Sequence, residues 1–219
     1  MQVIKALDGE LGTNHSLAGS MVSGNLSTSA MSYERIEKLG TNGIPDIILI
    51  SAGCNDWGFC VLPEEFEEAY RTMLHRIKEQ YPHADIYCAT LPEGKQPQGE
   101  TFFNIDSTIS KRVYSDIIRE NAQKAQVYIA DLANVQEEYE TVDGVHPNKA
   151  GMHTLAQMWV RMQTARIFAA REAAKFFTTR IRPRSIRYRR TTLGRSQFRA
   201  RSQLSMTMRC MDVRTPLVS

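Results

Sequence analysis

Pro45-Asp46 opens Ile47-Ile48-Leu49-Ile50-Ser51, a continuous apolar run bounded by turn residues, and this constrains the fold more than any other feature. Such a run does not alternate. It therefore reads as a strand covered on both faces, the pattern of a parallel sheet with helices on each side. The segments around it agree. Pro63-Glu64-Glu65 starts a helix, with Pro in the first turn and acids complementing the helix dipole. Phe66, Tyr70, Met73, Leu74 and Ile77 then recur on one face until Pro82. Residues 84–89 read as the next strand and 107–124 as a helix with Ile109, Val113, Ile117 and Ile118 inward. Residues 127–130 form a further strand and 148–162 the last helix. Strand and helix alternating at this spacing predict an α/β fold with a parallel sheet in three layers. Ligands in such sheets bind beyond the carboxyl ends of the strands, so the loops there are where chemistry is sought.

Three such loops stand out. Asp143-Gly144-Val145-His146-Pro147-Asn148 places an acid and an imidazole three apart, between a strand and a helix. The acid can hold the ring in one tautomer while the other ring nitrogen takes a proton from a nucleophile. Gly53-Cys54-Asn55-Asp56 follows the Ile47 strand. Ser23-Gly24-Asn25 follows a short segment, residues 14–18, that is expected to be a strand. A glycine N–H and an asparagine amide at strand ends are suitable donors to a developing oxyanion. Taken singly, each has a plainer reading: a helix-capping acid beside an exposed His, a tight turn at Gly24-Asn25, a helix-entry cap at Asn55-Asp56. Trp57 and Phe59 suit an apolar or sugar-stacking wall and suit core packing equally.

In combination and order, these residues resemble the SGNH (GDSL-type) hydrolase family over roughly residues 3–163. The resemblance implies a flavodoxin-like three-layer α/β/α domain and serine esterase or acyl-hydrolase activity without cofactor or metal. It implies a small acyl-ester substrate, a lipid or an acetylated sugar. It also implies site roles: His146 the base, Asp143 its orienter, and the Gly24 N–H and the Asn55 amide the oxyanion hole. One block departs from the pattern. The family begins with an apolar strand ending in Gly-Asp-Ser, whose Ser is the nucleophile, and no Gly-Asp-Ser occurs in this sequence. Residues 1–11 read instead as the helix that follows that block. Ser16, Ser20 and Ser23 are nucleophile candidates only by default, so the nucleophile stays unknown. The expectations that follow are an N-terminally truncated domain without its first strand, a sheet missing an interior strand, and little or no esterase activity.

Charge divides the chain. Residues 1–165 hold 13 Lys+Arg against 22 Asp+Glu, a net of −9, whereas residues 166–219 hold 14 against 2, a net of +12. The second stretch has too little apolar periodicity to bury a core. We therefore expect an α/β domain over 1–165 and a basic, irregular or disordered tail over 166–219. That tail is either a solvated end, an appendage from an altered reading frame or fusion, or an arm for nucleic acid or an anionic surface. No apolar run approaches the roughly 20 residues of a membrane span. The four cysteines (Cys54, Cys60, Cys88, Cys210) lack zinc-ligand spacing and read as free thiols of a cytoplasmic protein. Glu93 to Gly99, rich in Gly and Pro, reads as a surface connection or as a lid over the substrate.

Overall fold

The computed structural model describes residues 2–6, 8–95 and 109–162. These belong to the first of the two units into which the chain divides, Met1–Arg180 and Ile181–Ser219. In chain order the elements are α1 (Gln2–Ala6), α2 (Tyr33–Glu37), β1 (Ile47–Ile50), α3 (Cys54–Gly58), α4 (Pro63–Gln80), β2 (Asp85–Ala89), β3 (Gly94–Lys95), α5 (Lys111–Lys124), β4 (Tyr128–Ala130), β5 (Tyr139–Glu140) and α6 (149–162). The tail beyond 162, Cys210 and most of the segment between Glu93 and Gly99 lie outside the described residues.

The main sheet is parallel, in the order β1-β2-β4, with Ile48 opposite Ile86 and Cys88 opposite Ile129. Successive side chains of a strand point to opposite faces, and the two cores follow that alternation. Ile48, Ile50, Ile86, Cys88 and Ile129 pack with α4 and α5. Leu49, Tyr87, Ala89 and Ala130 pack on the other face with Met158 and Trp159 of α6 and Val3 of α1. The result is helix, sheet, helix: a three-layer α/β/α sandwich. Cys88 lies fully inside the first core, and burial pushes its thiol up to about 11.

The helices form where local chemistry favours them. In α4, Pro63 takes the first turn, where its missing N–H costs nothing. Phe66, Ala69, Tyr70, Met73, Leu74 and Ile77 are all buried at helical spacing. Phe66, Met73, Leu74 and Ile77 each contribute about 1.5–3 kcal/mol by leaving water. Phe66 centres an aromatic cluster, with ring centroids 5.1 Å from Tyr114 and 5.5 Å from Tyr70. Helix α5 starts at Lys111, with Ser110 as its N-cap accepting from Arg112 N at 3.2 Å. Of the residues expected to face inward, Ile118 is buried and Ile109 and Ile117 pack against the same core, whereas Val113 is exposed; Tyr114, Ser115 and Ala122 complete the buried face. The ring of Tyr114 packs against Phe66 at a tilt of 55°.

Two expectations near the N-terminus are corrected. Among the described residues, the helix expected over residues 1–11 covers Gln2–Ala6, and residues 8–11 are not helical. Residues 14–18 form no strand, because their polar groups are taken by side chains instead of a ladder. Ser16 N and Oγ both donate to Asn14 Oδ1, at 3.2 and 2.9 Å, and Arg35 donates to the His15 carbonyl at 2.7 Å. The described residues thus hold three adjacent parallel strands plus the short parallel β3–β5 pair. Among the described residues, β1 has a ladder partner only in β2, and Ile47 is 48% exposed.

Candidate active site

The carboxyl end of β1 runs into Gly53, which holds φ at 114° and opens α3. A Cβ there would lie 2.8 Å from Phe66 Cζ, so the positive φ and the close approach to α4 both call for glycine. This turn delivers Asn55 and Asp56. The Asp56 carboxylate is fully buried and accepts three hydrogen bonds: Val22 N at 2.8 Å, Ser23 N at 2.9 Å and Ser23 Oγ at 2.7 Å. The Asn55 amide donates to the Ser20 carbonyl at 2.8 Å. Residues 20–24 are thus clamped against α3 by two adjacent side chains, and Gly24, at φ 88°, follows the clamp directly. Gly24 and Asn55 therefore lie on the two segments that this clamp joins.

The clamp also bears on the nucleophile candidates. Ser23 is 1% exposed and its hydroxyl is spent on Asp56, an orientation unsuited to attack on a substrate. Ser16 is exposed and bonded to Asn14, and the carbonyl of Ser20 is engaged by Asn55.

The second half of the site is the loop between β5 and α6. His146 Nδ1 lies 2.7 Å from Asp143 Oδ2, while Asp143 Oδ1 accepts from His146 N at 2.7 Å and Val145 N at 3.0 Å. Burial alone would raise the Asp143 carboxyl. The hydrogen bonds from the His146 backbone and ring and from Val145 N outweigh it and hold the carboxyl below its ordinary value. An ionised carboxylate only accepts, so Nδ1 is the protonated nitrogen and Nε2 the acceptor of the neutral ring. The His146 side chain is 57% exposed, and that of Asp143 only 14%.

Tyr139, in β5, stands beside this loop, its Oη donating to the Val145 carbonyl at 2.7 Å. Burial pushes its phenol well above the ordinary value, and Cys54, Glu93 and Asp143 add to the shift. Beside them Lys111, itself 7% exposed, donates to the Pro92 carbonyl at 3.3 Å and to Glu93 Oε2 at 3.2 Å. Its ammonium also sits 4.6 Å from the Trp57 ring centroid. Trp57 is anchored further by Nε1 donating to the Ile109 carbonyl at 3.0 Å, whereas Phe59 is 69% exposed. Asp56, Lys111 and Tyr139 were not singled out as site residues from the sequence. Asp56 alone carried a signal, as the closing acid of Gly53-Cys54-Asn55-Asp56. Among the described residues, no group of three or more His, Cys, Asp or Glu side chains could hold a metal ion.

A parallel three-layer α/β/α sandwich with an acid–imidazole pair at a strand end defines the class of protein, and comparison with known proteins defines the family. The GDSL-like lipase/acylhydrolase family model matches residues 5–154, and the chain belongs to that family. Solved structures share the fold. A protein from Lactobacillus plantarum superposes with a TM-score of 0.56 at 18% identity, covering 72% of this chain and 83% of that one. A possible lipase from Chitinophaga pinensis DSM 2588 gives 0.54 at 14% identity, over 77% and 87% of the two chains. No curated protein sequence matches the chain.

Proposed function

We propose that this chain carries the proton-handling pair and the oxyanion donors of an acyl-ester hydrolase, and that alone it turns esters over little or not at all. The observation that carries the reading is the 2.7 Å contact between His146 Nδ1 and the Asp143 carboxylate. In that arrangement Asp143 fixes the tautomer and balances the charge that His146 gains on taking a proton at Nε2. The Gly24 N–H and the second N–H of the Asn55 amide would receive the oxyanion of the tetrahedral intermediate. The substrate class is an ester-linked acyl group on a lipid or a sugar. No Gly-Asp-Ser supplies a nucleophile, and Ser23 is turned into Asp56. An oxyanion hole without its nucleophile leaves only residual catalysis. Cys54 and Cys88 are free thiols, which suits a cytoplasmic setting. No helix among the described residues is long and apolar enough to cross a membrane.

Hydrolysis of short p-nitrophenyl esters by the purified protein tests this. The expected result is a rate equal to that of His146→Ala, and close to background. Turnover that His146→Ala abolishes would overturn the inactive reading and establish a nucleophile elsewhere in the chain.

The charge of residues 166–219, +12 in 54 positions, favours a second activity: binding of nucleic acid by the tail. Affinity for a single-stranded oligonucleotide should fall steeply between about 50 and 200 mM salt and vanish when residues 166–219 are deleted. Absence of binding at low salt rules it out.

A further inference from the structure

We propose that Tyr139 is a positioning residue for His146: its hydroxyl and the Asp143 carboxylate hold opposite ends of one peptide unit and thereby set the direction from which the imidazole leaves the backbone. The proposal rests on reading Asp143 and His146 as a working pair. Tyr139 Oη donates to the Val145 carbonyl at 2.7 Å, and His146 N donates to Asp143 Oδ1 at 2.7 Å. The Val145 C=O and the His146 N–H belong to the same planar peptide, so neither end can rotate without breaking both bonds.

The two grips differ in what they are attached to. Asp143 lies within the loop, so its bonds to Val145 N, His146 N and the ring fix the loop only relative to itself. Tyr139 is 5% exposed and lies in β5, paired with Gly94 of β3. Its bond to Val145 therefore refers the loop to the rest of the fold. Thr141 reinforces the same reference, donating to the Lys95 carbonyl at 2.7 Å and accepting from Gly144 N at 2.8 Å. Gly94 leaves the space for this docking. A Cβ there would stand 2.7 Å from the Gly144 carbonyl oxygen, 2.8 Å from Thr141 Cγ2 and 3.1 Å from Tyr139 Cζ. The loop that bears His146 is thus seated on β3 and aimed by a phenol that forms no part of the acid–base pair.

Tyr139→Phe removes only the hydroxyl and keeps the ring against Gly94, so the fold is retained. Amide hydrogen exchange and imidazole ¹⁵N resonances of the full chain are recorded for the wild type, Tyr139→Phe and Asp143→Asn. With one hydrogen bond lost at the shared peptide, exchange of the His146 amide should accelerate about five- to tenfold in Tyr139→Phe. Its ring should move from the Nδ1–H tautomer toward the mixture of free imidazole, while the slow amides of α4 stay unchanged. Acceleration of the α4 amides to the same extent would mark a merely structural role and overturn the proposal. If Asp143→Asn alters the His146 signals and Tyr139→Phe does not, the assignment to Tyr139 fails and the pair stands. If Asp143→Asn leaves the His146 signals as in the wild type, the pair itself is refuted and the proposal with it.

Discussion

Replacing Asp56 by Ala should lower the unfolding free energy by about 3–5 kcal/mol, the range for stripping the charged acceptor from a fully buried group of donors. The carboxylate is the acceptor for Val22 N, Ser23 N and Ser23 Oγ, and all three would be left facing a cavity. Asp56→Asn restores the volume but not the chemistry. Its amide nitrogen would confront a donor on one side, so it should recover only part of the loss. Urea unfolding followed by circular dichroism measures both variants, with equal m-values expected because the exposed area is unchanged. The consequence reaches the site as well. Asp56 and Asn55 are the two side chains that draw residues 20–24 to α3, so loosening the first should broaden the backbone resonances of Gly24 before the core is affected. A loss below about 1 kcal/mol for Asp56→Ala would show that the clamp contributes no more than an ordinary exposed hydrogen bond.

Gly151→Ala should also destabilise strongly, by about 2–4 kcal/mol, although alanine is by itself the better helix former by about 1 kcal/mol. Gly151 lies in the first turn of α6, where a Cβ would fall 1.9 Å from the Glu140 carbonyl oxygen and 2.9 Å from its carbon. The atoms it meets are backbone and cannot swing aside. Glu140 is also tied to the helix by Asn148 N at 3.1 Å and to β3 through Lys95. Either α6 lifts from β5 or the short β3–β5 pair opens, and both routes disturb the loop that carries Asp143 and His146. A melting temperature lower by roughly 5–15 °C is expected. Gly12→Ala, with nothing within 4 Å of the added Cβ, is the control and should change little. A rise in the melting temperature of Gly151→Ala would mean that helix propensity outweighs the contact.

Much of the scaffold could be read along the chain because its signals are local. The apolar faces of α4 and the unbroken run of β1 are periodicities within a few residues, and the buried positions of α4 follow the pattern that its sequence predicts. The pairing of Asp143 with His146 is likewise local: a spacing of three in a turn lets one carboxylate reach both the amide and the ring of the same histidine. Two local readings failed. Val113 has the right character for a core position, yet it is exposed, and Tyr114 beside it is buried against Phe66. Residues 14–18, expected as a strand, hold no β-branched residue, and with no ladder partner among the described residues their polar groups turned to Asn14 and Arg35.

The sequence by itself thus determined the fold class, the succession of elements and the presence of an acid–imidazole pair, since each depends on residues close together in the chain. Tertiary structure decided how those pieces serve one another. It turned Ser23 into Asp56, 33 residues away, and so withdrew the candidate nearest to Gly24. It seated the His146 loop on Gly94, a glycine of another strand. Hydrogen bonds and close contacts across such separations depend on where the chain returns, and no spacing within a motif encodes that.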